Sequence, residues 1–196
     1  MPNKAILLIP TIVIFFVITS CSIFETREPE SPIGTGGVFI LPTTPSIVVE
    51  NFINSFSSKN PDNYYNCFSS EKYIFHPTAE VAARYPSLFA NWHSKNERQY
   101  MVANCAALEK ESNPYLQFET SVFDFISTDS AVLITNYTIF CNVIDNSIPD
   151  NYSGRMILTI IPDKSGLWSI SSFQDFQSEF DTLKNTWSQL KAYFSN

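Results

Sequence analysis

Glycine is scarce in this chain, five residues in 196, and histidine scarcer still at two. So few glycines leave little material for a loop that lets phosphate approach the backbone closely. Neither GxxxxGK[ST] nor GxGxxG occurs. GxSxG and HExxH are missing as well, which removes the signatures of a strained-turn serine nucleophile and of a helical zinc site. There are four cysteines but no CxxC pair, and His76 and His93 match no zinc-ligand spacing with them. A structural zinc site needs about four close ligands. No metal and no cofactor is therefore expected. Cys67, Cys105 and Cys141 read as buried thiols acting as small apolar residues, and their odd number leaves at least one free of any disulfide. Basic residues are also short, 12 against 19 acidic ones. The acids are scattered and form no tail. That balance excludes the basic face that nucleic acid requires.

What is present begins at residue 1. Met1 to Lys4 is a short positive start, Ala5 to Val17 is apolar, and the small residues Thr19 and Ser20 lead to Cys21. This is the order of a secretory signal. The apolar stretch runs for about 14 residues and contains Pro10, too short for the roughly 20 that a spanning helix needs. Ile18-Thr19-Ser20-Cys21 resembles the lipobox of bacterial lipoproteins. The resemblance implies that residues 1–20 are removed and that Cys21 is acylated. Two or more acyl chains make a durable anchor. The expected location is extracytoplasmic and membrane-anchored, in the outer membrane if the cell has one, since Ser22 rather than Asp follows the cysteine. Losing Lys4 leaves eleven basic and nineteen acidic side chains, a net charge of −8. The anchor must then be the lipid, not a basic protein surface.

Residues 21–44 read as a flexible tether rich in Pro, Gly and polar groups. Val38 to Leu41 interrupts it as a short segment that can dock on the domain. Residues 45–196 form one domain, long enough for a core without disulfide staples. Thr44-Pro45 is a helix start, with Val48, Phe52 and Phe56 spaced along one face. Asn60-Pro61 is a second start. Tyr73 to Phe75 reads as a brief strand. Thr78 can cap a third helix from Ala79, ended by Pro86. Ser94-Lys-Asn-Glu97 reads as a capping box that opens a fourth helix through about Lys110, with Met101, Cys105 and Leu108 on one face.

From Tyr115 the period changes to two. Leu116, Phe118, Thr120 and Val122 alternate with polar residues, and the parity then switches at Phe123, which suggests a β-bulge. Ala131 to Val143 is a long strand. Gly154 to Ile161 and Leu167 to Phe173 form a hairpin. Leu183, Trp187, Leu190 and Phe194 mark an amphipathic C-terminal helix. Helices followed by four antiparallel strands define an α+β class, with helices on one face.

Three stretches resemble the NTF2-like (SnoaL-like) superfamily: Pro45 to Phe56, Asn63-Tyr-Tyr-Asn-Cys-Phe68, and Gly166-Leu-Trp-Ser-Ile-Ser-Ser-Phe-Gln-Asp175. The resemblance implies a curved sheet wrapped around helices as a cone, often with a pocket and often dimeric. Trp187-Ser-Gln-Leu-Lys191 resembles the ending of bacterial envelope lipoproteins with no assigned activity. Enzymes of this class use a carboxylate inside the cone. The candidate pocket residues here are Tyr64, Trp92, Asp124, Tyr137, Trp168 and Asp175. Asp124 and Asp175 are the acid/base candidates, and Tyr64 or Tyr137 the hydrogen-bond donor. Each also has a plainer reading: Asp124 faces solvent, Asp175 closes a turn or caps the last helix, Glu97 completes the capping box, and both tryptophans are core. With no catalytic signature, the leading expectation is a lipid-anchored binding or assembly module. Its partner, a second copy or another envelope protein, would meet the sheet face through Val132 and Ile134. A small-molecule isomerase, cyclase or hydrolase is the alternative.

Overall fold

The computed structural model describes residues 38–178 and 185–195. The leader, Cys21, residues 21–37 of the tether and Leu183 lie outside the described residues.

Helix α1 (Pro45–Ser57) starts where Thr44 accepts from the Ile47 amide and Pro45 takes the first helical position. Proline costs nothing there, because that amide has no helical partner. Val48, Val49, Phe52 and Phe56 are all buried on one side. Helix α2 (Pro61–Asn66) repeats the device, with Asn60 accepting from Asn63 N at 2.9 Å. Strand β1 (Ile74–His76) follows, then α3 (Ala79–Arg84) and α4 (Pro86–Phe89). Pro86 ends α3 as expected. It also opens α4, because proline is tolerated in a first turn.

Helix α5 (Ser94–Ala107) departs from expectation. His93, not Ser94, sits at the cap, and its amide donates to Asn96 Oδ1 at 3.0 Å. Glu97 is thereby released from capping. It lies on the buried face with Ser94, Tyr100, Met101 and Asn104.

The remaining strands are β2 (Tyr115–Phe118), β3 (Phe125–Ile126), β4 (Ala131–Phe140), β5 (Asn151–Pro162) and β6 (Trp168–Phe176). The sheet order is β1-β6-β5-β4-β2, with β3 also paired to β4. This is a six-stranded mixed sheet, not four antiparallel strands. β1 adds to β6 in parallel, and the segment from Tyr115 splits in two. After Phe118 the chain leaves the ladder, held at Thr120 N by Thr135 Oγ1 at 3.0 Å, and Val122 is left exposed. The parity switch at Phe123 is thus a break between strands and not a bulge. The bulge is in the next hairpin. Thr159 pairs with Ser172 but Ile160 with Ile170, leaving Ser171 as the extra residue. Its hydroxyl donates to Thr159 O at 3.1 Å. This resets the alternation, so that Ile170, Phe173 and Asp175 all turn inward and are buried.

Helix α1 packs across β2, β5 and β6, and α2 packs on α5. The last helix, α6 (Trp187–Tyr193), packs on β5 and α3. Ahead of α1, Asn51 pins the chain in place: its Oδ1 accepts from Ile40 N at 2.9 Å and its Nδ2 donates to Ile40 O. Pro42 O accepts from Trp168 N at 2.8 Å. Val38 to Thr43, within the expected tether, is therefore hydrogen-bonded to the domain.

Candidate functional site

The sheet's inner face and helices α1, α2 and α5 enclose the cone. Two carboxylates lie inside it, Glu97 from α5 and Asp175 from β6, and both are buried.

Glu97 accepts from four donors. Its Oε1 accepts from Trp92 Nε1 at 2.8 Å, from Lys191 Nζ at 2.5 Å and from the Tyr73 hydroxyl. Its Oε2 accepts from Tyr64 Oη at 3.2 Å. An ionised carboxylate offers about two lone-pair sites on each oxygen; Oε1 takes three donors and Oε2 one, and the complete burial of Glu97 keeps the remaining Oε2 site from solvent. Burial pushes the phenols of Tyr64 and Tyr73 well above their usual pKa, and the neighbouring Glu97 pushes them further. Both therefore remain protonated donors.

Asp175 is held differently. Its Oδ1 accepts from Tyr137 Oη at 2.7 Å, and its Oδ2 accepts from the Ser188 amide at 2.7 Å and the Ser188 hydroxyl at 2.5 Å. Burial raises the Asp175 pKa, while the bonds from Ser188 and Tyr137 pull it back. Tyr137 Oη in turn accepts from Trp187 N at 2.7 Å. Asp175 and Tyr137 together satisfy the first amides of α6, which would otherwise be buried without partners. Room for this arrangement comes from Gly154, directly across the ladder from Tyr137. A Cβ at Gly154 would lie 2.5 Å from Tyr137 Oη and 2.6 Å from Phe176 O.

Helix α6 packs its Trp187 and Lys191 into this interior. Trp187 stacks on Phe52 at 5.4 Å and meets Phe173 and Tyr137 edge-on at 5.0 and 5.3 Å. Lys191, one turn later, is completely buried. Burial lowers its pKa, and the attraction of Glu97 opposes that shift.

Of the residues singled out in the sequence, Tyr64, Trp92, Tyr137 and Asp175 are brought together in this interior. Asp124 and Trp168 are not. Asp124 is exposed and accepts from Ile134 N at 2.8 Å, because the chain breaks from the sheet before it and the parity does not carry through. Trp168 is half-buried beside a surface groove of about 810 Å³, with Phe39, Tyr65, Lys72 and Asp163. Neither histidine joins the interior. His76 is exposed, and His93 Nδ1 lies 3.2 Å from Tyr73 O. Glu97, Tyr73, Ser188 and Lys191 are the members that sequence reasoning missed. Glu97 precedes Met101 by four residues, and that spacing on one helical face was the available signal. Among the described residues, no group of three or more His, Cys, Asp or Glu is placed to hold a metal. Cys67, Cys105 and Cys141 are all free. No described helix is long and apolar enough to cross a membrane.

No protein-family model matches the sequence. No curated protein matches it either. Solved structures do match in fold. A candidate aromatic ring hydroxylase from Novosphingobium aromaticivorans aligns with a TM-score of 0.54 and 10% identity, over 73% of this chain and 91% of that one. A candidate scytalone dehydratase from the same organism gives 0.52 and 9%, over 71% and 87%. A candidate calcium/calmodulin-dependent protein kinase II association domain from Xanthomonas campestris gives 0.50 and 14%, over 72% and 94%. Identities this low establish fold alone. The chain has the NTF2-like α+β cone, helices against a curved mixed sheet.

Proposed function

We propose that this protein is a lipid-anchored envelope protein whose NTF2-like domain is a non-catalytic binding or assembly module. The observation that carries the module reading is the occupied cone. Trp187 and Lys191 pack into the interior, and Glu97 is completely buried with both oxygens accepting from donors of the same chain. A general base needs an accessible lone pair within hydrogen-bond reach of substrate. The anchoring part rests on the leader and on Cys21. The partner, a second copy or another envelope protein, would meet the outer sheet face. There Val132, Ile134 and Ile157 are only half-buried and Ile74 and Phe125 are exposed.

Replacing Cys21 by Ser tests the anchor. The variant should move to the soluble fraction and lose incorporation of labelled fatty acid. Unchanged membrane association would refute lipidation. Replacing Glu97 by Gln tests the module reading. An active-site carboxylate is commonly held at the expense of stability, so its removal stabilises. A carboxylate that organises the core should instead lower the unfolding midpoint when neutralised. A raised midpoint would favour the second reading, a small-molecule isomerase, cyclase or hydrolase. The two carboxylate–phenol pairs, Asp175 with Tyr137 and Glu97 with Tyr64, are what favour that reading.

A further inference from the structure

Lys191 is an unusual way to fill a core. A buried ammonium loses its hydration, and a hydrophobic residue of similar volume is often as stabilising or more so. Its surroundings explain its presence. Nζ lies 3.6 Å from the centre of the Phe75 ring, 4.6 Å from Phe173, 5.6 Å from Trp92, 5.8 Å from Tyr100 and 5.9 Å from Trp187. Aromatic faces around a cation, closed by a carboxylate, are the chemistry that recognises organic ammonium groups. Four of these rings belong to the body of the cone: Phe75 on β1, Phe173 on β6, Trp92 before α5 and Tyr100 within it. Glu97 also belongs to the body, fixed by Tyr64 on Oε2 and by Tyr73 and Trp92 on Oε1. Only Trp187 travels with α6. The receptor is thus built almost entirely without the helix that supplies the ammonium. The i, i+4 spacing of Trp187 and Lys191 delivers ring and cation on the same helical face.

We propose that the cone is a receptor for primary alkylammonium ions, occupied in cis by Lys191, and that a free alkylammonium takes the site when the lysine head is removed. The inference names a ligand class for the binding module. It depends on the filled interior and not on Cys21, so the fractionation experiment can fail without touching it. The 2.5 Å contact to Glu97 Oε1 requires an N–H donor. A quaternary ammonium has none and should be refused.

The test uses the full chain carrying Lys191→Ala. The side-chain fragment lost is n-propylammonium, and that ion is the probe. Thermal unfolding is followed against its concentration, with n-propanol and tetramethylammonium as controls. Ligand binding to the folded state alone raises the midpoint with the logarithm of ligand concentration. The expected result is a rise of several degrees with n-propylammonium, little change with either control, and no such rise in the unsubstituted chain. Adding Glu97→Gln to the variant should abolish the preference for amine over alcohol. Equal effects of n-propylammonium and n-propanol, or an equal rise in the unsubstituted chain, would overturn the proposal. If Lys191→Ala does not fold unaided, refolding with each probe makes the same distinction. Recovery that depends on the amine supports the site. Equal recovery with n-propanol, or no recovery with either, overturns it.

Discussion

The cone interior and the groove beside Trp168 separate two things that an active site must combine. The interior has the chemistry: two carboxylates, three phenols bonded to them and an ammonium, in two hydrogen-bonded clusters, one on Glu97 and one on Asp175. Its space is taken by α6. The groove has space, about 810 Å³, with aromatic walls from Phe39, Tyr65 and Trp168. Its charged residues, such as Lys72 and Asp163, sit on the exposed rim. Buried polar groups gain strength from low dielectric only when all are satisfied. Each oxygen of the two carboxylates accepts from the chain's own donors, which ties α5, α6, β4 and β6 together. The two buried carboxylates do not line the groove.

Conditions and substitutions that act on one region and spare the other sharpen this contrast. Alkaline pH has the largest expected effect. The phenols of Tyr64, Tyr73, Tyr100 and Tyr137 are all raised above the usual 10.0, first by burial. An acid with a raised folded pKa contributes stability that is complete below its unfolded value and is lost as pH rises through the folded one. Each phenol then costs about 1.4 kcal/mol per pH unit above 10. The thiols act in the same sense from 9.0 upward, with Cys105 pushed up to about 11 and Cys141 to about 12. Lys191, lowered from 10.5, acts in the opposite sense but is a single group. Urea midpoints should fall steeply above pH 10. A flat profile to pH 11 would mean that the interior is wet.

Glu97→Ala comes next. It strands a buried ammonium and three ring donors, and breaking a buried pair in this way costs about 3–5 kcal/mol. Equilibrium urea unfolding at neutral pH measures it, and a loss under about 1 kcal/mol would contradict the assignment. Tyr137→Phe removes the bond to Asp175 and the acceptor for Trp187 N. A loss of about 1–3 kcal/mol is expected, with α6 loosening before the sheet. Trp168→Ala should be the mildest. Its ring is half-buried at the groove, so a change within about 1 kcal/mol is expected. A larger loss would make the groove part of the core.

Much of the framework was legible because it depends on local rules. Thr44-Pro45 and Asn60-Pro61 mark helix starts by side-chain acceptor and fixed φ, and both open helices as expected. The β-branched and aromatic run from Ala131 identified a long strand, observed over Ala131–Phe140. Asp175 was readable as a cap for the last helix, and it does accept from Ser188 N inside the cone. Other features turned on contacts distant in sequence. Nothing near Asp124 reveals that the chain leaves the sheet after Phe118, so its parity misled. Glu97 fits a capping box as well as a buried face, and partners outside its helix decide between them, Lys191 from 94 residues away among them. A lysine near the end of a helix ordinarily means a solvated, dipole-compensating charge. Its burial follows from four rings on three other parts of the chain.

Amide hydrogen exchange at Trp187 and Ser188 tests the central claim most directly. Both amides donate to interior oxygens, Tyr137 Oη and Asp175 Oδ2, and to no helical carbonyl. If α6 is an integral part of the cone, these two amides exchange as slowly as those of the central strand β4, by global unfolding. Exchange many orders of magnitude faster, with β4 still protected, would show the helix leaving an intact cone and would contradict the account of a filled interior.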